Sequence, residues 1–105
     1  MMLMTVLQAN IAPENWLALQ DAYKAGTRHL PEQMIESFLV QSNEDPTLWR
    51  GIAIWRSRAE FEEYRHTVDT PGGIWMFRSA GAEPNLTIFN VVGNGKIPQV
   101  YPSLV

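Results

Sequence analysis

The sequence contains no cysteine. Disulfides, thiolate nucleophiles and cysteine-ligated metals are therefore excluded. Histidine is scarce: His29 and His66 lie far apart and lack the spacing of a zinc site, so no metal is expected. Lysine is nearly absent as well. The cations are six arginines plus Lys24 and Lys96, scattered among eleven acids for a net charge of -3. No basic stripe results, which argues against nucleic acid as a partner. No apolar run reaches the ~18 residues that a membrane span requires. The start, "MMLMTVLQANI", is apolar but has no basic stretch before it and polar residues after it, so it reads as a strand and not as a leader. The expectation is a soluble, cytoplasmic protein without a membrane segment.

What is present is enough for one core. The chain has 105 residues, 46% of them hydrophobic, as expected of a single globular domain. Leu3 to Ile11 is a β-type run. Pro13 suits the first turn of a helix, along which Trp16, Leu19 and Tyr23 recur at helical spacing, with Gly26 as the stop. Met34 to Ser42 and Leu48 to Trp55 form a hairpin across the turn-forming "SNEDP". Ser57 with Glu60 makes a capping box for a second helix with Phe61, Tyr64 and Val68 along one stripe. After "DTPGG", the segment "IWMFRSAG" reads as a short third helix ending at Gly81. Leu86 to Val92 is the last strand.

The order β-α-β-β-α-β predicts an α+β, ferredoxin-like fold: a four-stranded antiparallel sheet with helices on one face. Residues 1–94 read as this domain and 95–105 as an extended tail with Pro98 and Pro102, docking on a partner subunit or on its own. The strands are apolar on both sides. Ile52 and Ile54 alternate with Gly51, Ala53 and Trp55, and Met4 and Val6 with Leu3 and Leu7. Helices cover one side only, so a second copy of the chain is expected on the other.

The stretch "WRGIAIWRS" places Trp49, Gly51, Ala53 and Trp55 on one face. Small residues between large ones leave a dip, filled either by a helix or by a ligand. Tyr64 carries a hydroxyl on the buried side of its helix and serves as a core residue or a pocket donor. Trp75 and Arg78, after the Gly-Gly pair, either close over a ligand or seal the core and reach water. His66 lies roughly 160° from the apolar stripe at ~100° per residue, facing solvent beside Glu62, and His29 lies in a surface loop. Gln8, Ser37, Thr87 and Asn90 are polar residues in apolar strands, marking either a cavity lining or a strand edge or seam.

The segment "SNEDPTLWRGIAIWRSRAEFEEYR" resembles the antibiotic biosynthesis monooxygenase domain of the dimeric α+β barrel superfamily. Asp45-Pro46, a strand ending in Trp55, then Ser57 and Phe61 carry the match, which extends loosely from Leu3 to Val92. The resemblance implies subunits that pair through their sheets as a homodimer. It also implies a cofactor-independent monooxygenase acting on a small quinol or phenolic compound. Trp55 matches a tryptophan of the polyketide-acting members. Their asparagine four residues earlier and tyrosine six residues later are Gly51 and Phe61 here. The haem-degrading branch has a tryptophan and a histidine that fall at Tyr64 and near Ile74. The candidate set is therefore Trp55 and Tyr64 as catalytic residues, with Trp49, Gly51, Phe61, Trp75 and Arg78 around the substrate. No cofactor is expected. The alternative reading is a non-catalytic dimeric module of the same fold that binds a small ligand or a partner.

Overall fold

The computed structural model describes residues 1–97. Four strands, β1 (Leu3–Asn10), β2 (Met34–Gln41), β3 (Leu48–Trp55) and β4 (Asn85–Asn90), form one antiparallel sheet in the order β2-β3-β1-β4. Three helices cross it: α1 (Trp16–Gly26), α2 (Arg58–Thr67) and α3 (Gly72–Ser79). This is the α+β, ferredoxin-like plan expected from the pattern, with α3 inserted between α2 and β4.

The register sorts side chains onto two faces. Leu3 pairs with Trp55, Thr5 with Ala53, Leu7 with Gly51 and Ala9 with Trp49. Leu3, Thr5, Ala9, Trp49 and Trp55 are buried, so this is the face the helices cover. The helix-side core divides into two clusters. One gathers Ala9, Ile11, Leu19, Ala22, Trp49, Met76, Phe77 and Ala80 under α1 and α3. The other gathers Leu3, Trp55 and Phe61 under α2.

Local chemistry fixes the helix ends. The Ser57 side chain accepts a hydrogen bond from the Glu60 N–H at 3.1 Å, capping α2 as the sequence suggests. Gly81 takes a φ of +78° just after α3, a conformation that costs glycine little. Gly26 does not act as the expected stop. Its φ of -67° and ψ of -31° are helical, and the chain runs on into a 3-10 turn at Thr27–His29. Along α2, Glu62 pairs with Arg58 and Arg65 at 3.6 and 3.7 Å, which takes up the carboxylate that sequence spacing sets beside the exposed His66.

The opposite face of the sheet is uncovered in the described chain. Phe38 and Phe89 are 44% and 50% exposed there, in line with the half-buried Met4, Val6, Ile52 and Ile54. Beyond β4, the Val91 N–H donates to the Met2 carbonyl at 3.0 Å, and residues 91–97 have no regular structure. Residues 98–105, most of the expected tail, lie outside the described residues.

Because Gly26 is helical and a Cβ there would meet nothing within 4 Å, it gains nothing from being glycine. Gly26→Ala is expected to stabilise the fold by about 0.5–1 kcal/mol, chiefly by restricting the unfolded chain, as measured by urea titration.

Candidate functional site

A cavity of about 620 Å³ opens between the two core clusters. Its floor is the helix side of the sheet: Thr5 and Leu7 of β1, Ser37 of β2, and Gly51, Ala53 and Trp55 of β3. Ala22, Tyr23 and Met76 border it from the first cluster's helices, and Phe61 and Tyr64 from α2.

The small residues of β3 have separate uses. A Cβ on Gly51 would stand 3.3 Å from Phe77 Cε2 and 3.4 Å from Met76 Cε, so α3 side chains have already taken that space. Ala53 is different: two residues further along the strand, it lies on the open floor. The dip is thus half filled by a helix and half left as cavity. α3 enters close to the sheet because Gly73 has no side chain; a Cβ there would lie 2.6 Å from Leu7 Cδ1.

Trp55 organises the deep wall. Its ring is 5.0 Å from Phe61 and 5.2 Å from Tyr64, both tilted. Each such pair contributes about 0.5–1.5 kcal/mol beyond burial. Its indole Nε1 donates to Thr5 Oγ1 at 3.0 Å, which holds the ring plane in place. The Tyr64 hydroxyl accepts from the Gly72 N–H at 3.0 Å, tying α2 to the first turn of α3. That helix turn is electropositive, and a hydroxyl accepting from it is polarised to donate its own proton. The Tyr64 proton has no acceptor among the described residues. On the α1 side, the Tyr23 hydroxyl donates to Ser37 Oγ at 3.2 Å. Arg65, His29 and Asp69 stand at the exposed rim.

The structure therefore brings together Trp55, Tyr64, Gly51 and Phe61 of the residues singled out in the sequence. It places the other three elsewhere. Trp49 is 5% exposed and packs edge-on against Trp16 at 6.0 Å in the first cluster, away from the cavity. Trp75 points outward and is 53% exposed. Arg78 is on the surface in a bidentate pair with Glu83, at 2.9 and 2.7 Å. That hydrogen-bonded carboxylate raises the Arg78 pKa, and the guanidinium lowers that of Glu83. Sequence spacing places Trp49 and Trp55 on the same face correctly. It carries no information on which helix covers which tryptophan. Thr5 and Tyr23 are cavity residues that the sequence does not single out, whereas Ser37 stands out there as a polar residue in an apolar strand.

No group of ligands suitable for a metal ion occurs among the described residues, and no helix there is long and apolar enough to cross a membrane.

No protein-family model and no curated protein matches the sequence. Solved structures do match, and they define the class of fold. Rv0793 from Mycobacterium tuberculosis superposes with a TM-score of 0.68 at 15% identity, over 91% of this chain and 100% of that one. A protein from Chloroflexus aurantiacus, provisionally named an antibiotic biosynthesis monooxygenase, gives 0.65 at 16% identity, over 93% and 100%. SnoaB, a cofactor-independent oxygenase from Streptomyces nogalater, gives 0.60 at 16% identity, over 93% and 98%. The chain thus has the fold of the antibiotic biosynthesis monooxygenases, as its resemblance implies.

Thr5→Val keeps the shape of the floor but leaves the Trp55 N–H without an acceptor in a 3% exposed ring. The expected cost is about 1–3 kcal/mol of stability, read by urea unfolding.

Proposed function

We propose that the protein is a dimeric, cofactor-independent monooxygenase whose substrate is a small, electron-rich aromatic held in the cavity beside Trp55. The observation that carries this reading is the polarised Tyr64 hydroxyl, which borders an aromatic-walled cavity and has no acceptor for its proton among the described residues. The names of SnoaB and the Chloroflexus protein favour the same chemistry.

Such a reaction asks little of the protein. The ring-activated methylene of an anthrone-type substrate loses a proton to solvent at the rim, and the resulting anion passes one electron to dioxygen. The two radicals combine in the cavity and form a peroxide. Loss of water from it leaves a carbonyl. The methylene compound and one dioxygen are thereby converted to the ketone and one water. The four electrons removed from the substrate carbon are the four taken up by dioxygen, so no outside reductant enters. Trp55 and Phe61 hold the ring and exclude water. Tyr64 donates to the oxygen on which negative charge develops. Trp49, Trp75 and Arg78 have no place in this scheme, since they do not border the cavity.

A binding module without catalysis is the second reading. It is favoured by the engagement of Trp55 Nε1 and the Tyr23 hydroxyl in internal hydrogen bonds, and by the rim positions of the cavity's charged groups. Oxygen uptake separates the two. With anthrone, the wild type is expected to consume oxygen and form the carbonyl product. Tyr64→Phe should lower kcat about a hundredfold or more, the order of one positioned donor, and Ala53→Leu, which fills the floor, should abolish turnover. Binding without oxygen uptake would establish the second reading.

The homodimer is part of the proposal because the outer sheet face, with Phe38, Val40 and Phe89 exposed, has no cover among the described residues. Light scattering at micromolar concentration is expected to give twice the chain mass. Phe38→Glu together with Phe89→Glu should give the monomer.

A further inference from the structure

The cavity floor carries a polar row that the roles proposed for Trp55 and Tyr64 do not use. Ser37 of β2 pairs with Ala53 of β3, and Ala53 pairs with Thr5 of β1. One line across the sheet therefore reads hydroxyl, methyl, hydroxyl, and all three residues border the cavity. Two strand spacings separate Ser37 from Thr5, about 10 Å at the backbone.

Both hydroxyls are held in the same way. Ser37 Oγ accepts from the Tyr23 hydroxyl at 3.2 Å, and Thr5 Oγ1 accepts from the Trp55 indole at 3.0 Å. Each hydroxyl has one proton and two lone pairs. With a lone pair taken by a fixed aromatic donor, each presents its proton, and neither proton has an acceptor among the described residues. Two oriented donors thus flank a flat methyl floor. A separation of that order suits one aromatic ring with an oxygen at each end, hydrogen-bonded at both.

The geometry points to Ser37, held by Tyr23, and Thr5, held by Trp55, as a paired gauge that selects rings bearing oxygen at opposite ends. Ser37 and Thr5 are specificity-determining residues, and Tyr23 is a positioning residue that acts through Ser37. This inference rests on the aromatic-ligand reading of the cavity but not on oxygen chemistry. A ring with one oxygen satisfies one donor and leaves the other buried and unpaired, and a ring with adjacent oxygens does the same. Discrimination therefore comes from the unpaired group as much as from the bond gained.

Anaerobic titration calorimetry on the full-length protein tests it, with para-naphthohydroquinone, ortho-naphthohydroquinone and α-naphthol as probes. The wild type is expected to bind the para compound more tightly than the other two by about three- to tenfold, the worth of one neutral hydrogen bond. Ser37→Ala should remove that preference while leaving α-naphthol affinity within about twofold, since its single oxygen can still accept from Thr5. Ser37→Thr, which keeps the hydroxyl, should restore the preference. Tyr23→Phe should weaken para binding alone. A Ser37→Ala variant that keeps the wild-type preference, or that loses affinity equally for all three probes, overturns the inference, as does failure of the wild type to bind any of them. If the preference and its loss are seen but no oxygen is consumed in air, the monooxygenase reading fails and the gauge stands.

Discussion

Four residues of β3 set the arrangement of everything above the sheet. Trp49, Gly51, Ala53 and Trp55 point to the helices in turn, and their sizes run large, small, small, large. Each tryptophan anchors a separate core cluster. The two small residues between them cannot join those clusters into one. Phe77 and Met76 descend onto Gly51 and close half the gap. Ala53, at the edge of the second cluster, has only a methyl group, and the cavity lies over it. Gly73 eases this approach of α3, since a Cβ there would stand 2.6 Å from the Leu7 Cδ1 methyl.

Much of this fold is legible in the residues. The β-α-β-β-α-β order, the hairpin across Asp45-Pro46 and the Ser57 cap depend on neighbours in sequence, and local chemistry decides them. The site is legible in part. The alternation that puts both tryptophans on one face is a property of the strand. Which helix meets which tryptophan is a property of crossing geometry, and it removes Trp49 from the cavity. Trp75 and Arg78 sit on α3 on the side away from the core, and the spacing within "GGIWMFRS" does not say which side a short helix will bury. Gly26 misleads for a different reason. Glycine is common where a helix ends because it tolerates positive φ, yet here the backbone stays helical and the residue is merely small.

The solved structures with this fold share under a fifth of their residues with the chain, so the likeness is one of frame. The frame is one sheet with helices over one face, and it leaves a concavity wherever helix-side residues of the central strands are small. Lining residues then decide the chemistry. In this chain the lining combines an aromatic wall at Trp55, Phe61 and Tyr64 with hydroxyls at Ser37 and Thr5, and keeps its charges at the rim.

The displacement of Trp49 from the cavity has a consequence for how the molecule can be watched. Its indole nitrogen is buried and finds no acceptor among the described residues, whereas Trp16, edge-on to it, donates to the Ile11 carbonyl at 2.9 Å and Trp55 donates to Thr5. An indole in buried, apolar surroundings emits toward the blue edge of the tryptophan range. Its N–H proton meets water only when the first cluster opens. The four tryptophans therefore divide among three places: the first core cluster, where Trp16 and Trp49 meet, the cavity wall at Trp55 and the solvent-facing side of α3 at Trp75. The exchange rate of one indole proton records the opening of the core without any label.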